Sequence, residues 1–283
     1  MNSNTLIVIS LITLFFLLYL LVRKKLNTLA KSIYLFTIFA MIAISFLLIN
    51  RNDIPAMVYA KEVATQNTRK ALLSTKEETD LLKESVLLDA PIVNQLPELP
   101  RGCEVTSLAM LLQYADVDVD KMTLAKEIKK DSTPYVRENS TIYYGNPNDG
   151  FIGDMYSLNG PGLGVYHKPI AALAEQYLPG SIVDFTGSDF KEIKKHLSSN
   201  HPVLVITNST FKKLPESEFR TWHTPSGTVK ITYSEHSVLI TGYDEKYIYF
   251  NDPLTEEKNK KAPITDFEES WVQMGSQAIT INS

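Results

Sequence analysis

Cysteine is almost missing from this 283-residue chain, and Cys103 is the only one. A single thiol excludes an intramolecular disulfide and zinc sites of the C-x-x-C type. Cys103 is left as a buried hydrophobe, an intermolecular link or a reactive thiol. Neither an H-E-x-x-H nor a G-x-x-x-x-G-K-[ST] pattern occurs, so the sequence calls for no metal and no other cofactor. Acidic residues are missing from the first 50 positions, whose only charges are Arg23, Lys24, Lys25 and Lys31. The remainder carries 24 Lys and Arg against 32 Asp and Glu, a net −8. That balance is a poor match to nucleic acid, which is bound through clustered cations on phosphate.

What the first 50 residues do contain is apolar. Leu6–Val22 and Ile33–Ile49 are runs of about 17 residues broken only by Ser, Thr and Tyr, each roughly 25 Å long as a helix. Neither shows the polar face expected of a helix at the edge of a globular core. The absence of a basic side chain before Leu6 and of small residues after Val22 argues against a cleaved leader. The expectation is a two-helix transmembrane hairpin. Its loop, Arg23 to Lys31, holds four cations and should face the cytoplasm. Both termini, and with them the acidic C-terminal portion, would then lie on the extracytoplasmic side of the cell membrane.

Residues 51–87 are rich in Lys, Glu, Thr and Ala with scattered Leu, and read as a partly helical juxtamembrane stalk. From residue 88 to 283 there is enough chain for one well-buried domain. Helices are expected at Cys103–Tyr114, Leu124–Lys130, Pro169–Tyr177 and Asp189–Leu197. Strands follow at Val203–Thr207, Thr228–Tyr233, His236–Tyr243, Tyr247–Asn251 and Gln277–Ile281. Helices before an antiparallel sheet is the α+β pattern. The long loop between Thr133 and Gly164 carries Tyr143, Tyr144, Phe151 and Tyr156, with Tyr166 just beyond; these either line a substrate groove or pack the loop onto its own domain.

Cys103 precedes Val105, Leu108, Ala109 and Leu112, which recur at helical spacing, while Pro100 and Gly102 oppose extending that helix backward. A cysteine at the first turn meets unpaired amides and the helix dipole, which favour a thiolate. A thiolate nucleophile needs an imidazole to exchange its proton and a third group to hold that imidazole. Of the five histidines, His196 and His201 look like surface residues and His223 lies in an irregular stretch. His167, near the Gly-rich loop, is a candidate for substrate contact. His236 opens the strand whose hairpin partner ends in Asn251-Asp-Pro. A tight turn at Asp244-Glu245 would set His236 opposite Pro253 and Ser237 opposite Asp252. Asp252 is then one position from His236, able to orient it if twist or a bulge brings the two together. Gln95, upstream of the helix, is a candidate donor to an oxyanion.

The segments Ile92-Val-Asn-Gln-Leu-Pro-Glu-Leu-Pro-Arg-Gly-Cys-Glu-Val-Thr-Ser-Leu-Ala-Met-Leu-Leu, Asp149-Gly-Phe-Ile-Gly-Asp-Met-Tyr, Gly164-Val-Tyr-His-Lys-Pro-Ile and Glu235-His-Ser-Val-Leu-Ile-Thr-Gly-Tyr-Asp, with Asn251-Asp-Pro, resemble the C39-like cysteine peptidases. The resemblance covers residues 88–283. It implies a papain-like fold with Cys103 as nucleophile, His236 as base and then acid, Asp252 as the orienting group and Gln95 in the oxyanion hole. In the exporter-linked members the Gln lies nearer the Cys, which leaves Asn94 as a substitute for Gln95. The expected function is a membrane-tethered cysteine peptidase with a peptide or polypeptide substrate. The alternatives are an amidase of peptidoglycan stem peptides and a catalytically silent envelope module that binds peptide.

Overall fold

The computed structural model describes residues 3–25, 27–44, 65 and 82–282. It divides into two units, residues 1–79 and 80–283. In the first, α1 (Ser3–Val22) contains no charged residue, and a second helix, α2, covers residues 28–44. The two touch through Tyr34, whose ring centroid lies 5.3 Å from that of Phe15 and 5.7 Å from that of Tyr19. Among the described residues no helix is long and apolar enough to cross a membrane. The described side chains of α1 begin only at Ser10, and α2 leaves the described residues after position 44. The expected spans Leu6–Val22 and Ile33–Ile49 are therefore not supported at the roughly 20-residue length that a bilayer needs.

The second unit starts earlier than the composition implies. Most of the expected stalk lies outside the described residues, but its last residues belong to the domain. Val86–Leu87 form strand β1, which pairs with a core strand, and the Tyr243 hydroxyl donates to the Lys83 carbonyl at 2.6 Å. The strand is only two residues long, too short to show a period, and it follows the polar run Lys83-Glu-Ser.

The later strands are β2 (Lys130–Asp131), β3 (Val136–Glu138), β4 (Thr141–Tyr143), β5 (Phe151–Ile152), β6 (Ile182–Asp184), β7 (Val203–Asn208), β8 (Phe219–Thr224), β9 (Gly227–Thr232), β10 (Glu235–Tyr243), β11 (Tyr247–Asp252), β12 (Glu257–Pro263) and β13 (Ala278–Ile281). The helices are α3 (Cys103–Tyr114), α4 (Lys121–Glu127), α5 (His167–Tyr177), α6 (Phe190–Ser198) and α7 (Ile264–Gln273). The main sheet is antiparallel and seven-stranded, in the order β12-β11-β10-β7-β13-β6, with β1 also on β10. This is the expected α+β architecture. The sequence reading missed β6, β12 and α7, where charged residues interrupt the apolar period.

The run Val-Leu-Val-Ile in β7 has no polar alternation because both faces of the sheet are covered. Leu204 and Ile206 pack with α3, α4 and α5, while Val203 and Val205 pack against Phe190, Ile193, Phe267 and Trp271 from α6 and α7. Helix α3 lies inside this sandwich, buried from Cys103 to Leu112. Each fully buried leucine there contributes about 2 kcal/mol relative to exposure. Gly102 lets it start where it does, since a Cβ at that position would lie 2.5 Å from the Leu99 Cβ. The nucleophile candidate is thus carried on the most fully buried helix described in the domain. A smaller sheet, β3-β4-β8-β9, has its own core around Trp222, Tyr144 and Ile231. Its strands β3 and β4 lie in the segment expected to be a loop, and β8 turns the stretch around His223 into a strand.

Candidate active site

Cys103 is the first residue of α3 and 7% exposed. It opens onto a cleft of about 450 Å³ that is also lined by Gln95, Arg101, Glu235, His236 and Leu254. As the first helical residue, its N–H has no acceptor within the helix. His236, on β10, is buried, and its Nε2 lies 2.8 Å from the Asp252 Oδ1. Nδ1 is therefore the ring nitrogen left for a thiol.

The hairpin register explains this pairing and corrects the sequence arithmetic. Asp244 N–H donates to the Tyr247 carbonyl, so the tight turn is Glu245-Lys246 and not Asp244-Glu245. Tyr243 pairs with Ile248, but beyond a bulge at Thr241 the register shifts by one, and Leu239 pairs with Asn251. One further step sets Asp252 opposite Val238, two residues from His236. Residues two apart share a face of the strand, so His236 and Asp252 become diagonal neighbours on one face. The unshifted register would have put them on opposite faces.

Asp252 is itself held from three sides. Oδ1 also accepts from the Leu254 N–H at 3.0 Å, and the Lys260 ammonium donates to Oδ2 at 2.8 Å. Burial by itself would raise this carboxyl, but the hydrogen bonds and charges of His236 and Lys260 outweigh it and hold it well below the usual range. Phe211 supports both partners, with its ring centroid 6.0 Å from the His236 ring and 5.3 Å from the Lys260 Nζ. Its φ of 55° is in the left-handed region, a strain of about 1–2 kcal/mol for a side chain of this size, which its packing on Phe250 and Phe267 offsets.

Gln95 is buried at the cleft, and its backbone N–H donates to the carbonyl of Pro253, next to Asp252. Its Nε2 faces the carbonyls of Leu99 and Pro100 at 3.3 and 3.4 Å. Asn94 is turned away, donating to the exposed Glu256, so Gln95 and not Asn94 lines the cleft with Cys103. Gln95→Ala is expected to lower kcat on the order of 10²-fold with little change in KM; an unchanged kcat would remove it from the oxyanion hole.

The family model for the Peptidase_C39 like family matches residues 87–279. The chain belongs to this family. It is 47% identical over 232 residues to the uncharacterized protein YvpB of Bacillus subtilis strain 168, a match covering 81% of this chain and 88% of that protein. It also resembles the crystal structure of a putative C39-like peptidase from Bacillus anthracis, at 50% identity and a TM-score of 0.66, covering 71% of this chain and 98% of the other. The papain-like C39 fold is thereby established for the domain.

Within this C39-like domain the thiol departs from expectation. Burial pushes Cys103 well above the usual thiol range, and the neighbouring acids Glu104 and then Glu235 push it further. These outweigh the helix N-terminus, because a dipole acting through one turn is weaker than desolvation plus two adjacent acids. Cys103 is thereby held as a neutral thiol, with Sγ 3.4 Å from the Glu104 Oε2. Cys103, Glu104 and Glu235 are also the one group among the described residues that offers three potential metal donors within 4.8 Å of one another. An ion there would block the sulfur it held.

The other sequence candidates lie elsewhere. His167 begins α5, with Nδ1 2.6 Å from Asp184. His223 stacks on Tyr143. Tyr144 packs between Tyr135 and Trp222, and Phe151 and Tyr166 are core residues. These aromatics hold the loop to its domain, while the cleft wall is Leu158 and Gly160–Leu163. That wall is anchored by Arg101, whose guanidinium donates to the carbonyls of Asp154, Ser157, Leu158 and Gly160. Arg101, Glu104, Glu235 and Lys260 were not singled out in the sequence. Glu104 and Glu235 adjoin Cys103 and His236 in the chain, but adjacency alone does not show that the two acids face each other.

Proposed function

We propose that this chain is a cysteine peptidase that hydrolyses peptide bonds through Cys103, His236 and Asp252. The observation that carries this reading is the buried 2.8 Å pairing of His236 with Asp252 at the same cleft as Cys103. As Sγ attacks the scissile carbonyl carbon, the thiol proton passes to the His236 Nδ1. The oxyanion is met by the Cys103 N–H and, after it turns from the Leu99 and Pro100 carbonyls, by the Gln95 Nε2. The imidazolium then protonates the leaving amine, and a thioester remains on Cys103. Water, giving its proton to His236, attacks the thioester and releases the acid and the free thiol. Profiling a peptide library with the native chain and with the chain alkylated at Cys103 tests the reading; cleavage products shared by both would overturn it.

For the site of action we propose a membrane surface, a reading supported by the exposed apolar side chains of the N-terminal unit. Phe36 and Phe39 of α2 are 74% and 73% exposed, amid a helix with few polar side chains. Such a surface is stable only when covered by something apolar, and a lipid bilayer is the cover that matches an acid-free segment with a basic loop. The catalytic domain then works on the extracytoplasmic side. A reporter active only outside the cell, fused after Ser283, should be active; an inactive fusion that is stably made would refute this topology.

A further inference from the structure

Two carboxyl groups that the proposed chemistry does not use lie against the nucleophile. The Cys103 Sγ, a Glu104 oxygen and a Glu235 oxygen are all within 4.8 Å of one another. The Glu104 Oε2 faces the sulfur, and its Oε1 accepts from the Val165 N–H at 2.6 Å. Glu235 reaches the cleft wall, but its Oε1 is sealed from solvent and has no hydrogen-bond partner among the described residues. A sealed oxygen is not a substrate contact.

The cage around the pair admits little else. A Cβ at Gly164 would come within 2.1 Å of the Glu104 Oε1 and 2.9 Å of the Glu235 Oε2. From the same segment the buried Tyr166 faces both acids, which raise its phenol after burial has done so. From β10 the neighbouring His236 is engaged with Asp252. The nearby cations are occupied, Arg101 by the carbonyls of the cleft wall and Lys260 by Asp252. Two carboxylates this close, with no cation between them, do not both ionise near neutral pH.

We propose that Glu104 and Glu235 form a proton-sharing pair beneath Cys103, and that loss of its first proton sets the alkaline limit of the nucleophile's reactivity. The inference rests on Cys103 being the nucleophile. With both acids protonated, the thiol gives its proton to His236 against no opposing charge. Once one is ionised, the charge sits at the sulfur and keeps the thiol proton in place. Glu104 ionises first. Burial raises it to about 7, against bonds from its own backbone, the Val165 N–H and the thiol. Burial and then the Glu104 charge raise Glu235 well above the usual carboxyl range, and its Oε1 has no hydrogen bond among the described residues to favour the charged form.

The test is alkylation of the full-length chain by iodoacetamide from pH 5 to 9, in which the sole cysteine is read without ambiguity. Loss of the imidazolium proton alone leaves a thiolate, which still alkylates; a fall in rate above neutrality requires a charge that holds the thiol protonated. The expected result is a fall above about pH 7 in the wild type. The Glu104→Gln/Glu235→Gln double variant should lose that fall and react at least about tenfold faster than wild type at pH 8.5. A wild-type rate that climbs through pH 9, or a double variant that keeps the fall, overturns the pair. Infrared spectra of the wild type supply a second measurement free of folding questions: one carboxylic-acid carbonyl band should persist at pH 8, and its absence counts against the proposal. If the wild type at pH 6 reacts no faster than His236→Ala, the nucleophile reading fails instead.

Discussion

Alanine at Cys103, at His236 or at both is expected to lower kcat/KM by the same factor, on the order of 10⁴ or more. The equality is the informative part. The thiol is held neutral by burial and by two acids, so it gains nucleophilicity only as its proton passes to the imidazole. The imidazole has no other task in the attack. Groups that act as one unit are lost together, and the second substitution removes nothing further. Rates on a cleaved peptide, measured for both single variants and the double, check this. A His236→Ala enzyme that keeps a tenth of wild-type activity would show that the sulfur is activated in some other way.

The second large effect is at Asp252. In Asp252→Asn the side chain still fills its place but no longer fixes the imidazole tautomer or stabilises the imidazolium, and kcat should fall roughly 10²- to 10⁴-fold. The same change takes from the Lys260 ammonium, with a side chain only 24% exposed, its nearest carboxylate, leaving it the Thr255 hydroxyl at 3.3 Å and the Glu257 carboxylate at 3.8 Å. A loss of stability of about 1–3 kcal/mol is expected from the loss of a hydrogen bond between charged groups. Removing the ammonium as well, in Asp252→Asn/Lys260→Met, should recover most of the stability and none of the activity. Recovery of both would make Asp252 a structural residue. The pH dependence has a defined sign. Asp252 is depressed in the folded state, so it stabilises the fold above the carboxyl's unfolded pKa and that contribution is lost as pH falls through the acid range. The gap in melting temperature between wild type and Asp252→Asn should be full at pH 7 and shrink below about pH 4.

These predictions rest on features that differ in how they are written into the chain. Local periodicity was enough to place Cys103 at a helix start and His236 at a strand start, because Gly102, Pro100 and the apolar spacing act within a few residues. The α+β order and the acid-free N-terminal segment were equally plain, being matters of composition along the chain. The bulge at Thr241 was not, since β10 is buried on both faces and has no polar alternation for a one-residue shift to disturb, yet that shift decides which face Asp252 shares. Lys260 and Arg101 were invisible for another reason: a solvated cation and one that clamps a carboxylate or a loop have the same letter, and only the partners brought by other strands and loops distinguish them. The charge state of the thiol shows the limit most clearly. A helix N-terminus predicts a thiolate, and that local field is present in the sequence. The outcome is a neutral thiol because burial removes the sulfur from solvent and packs the Glu104 carboxyl against it, and only the tertiary structure sets that burial.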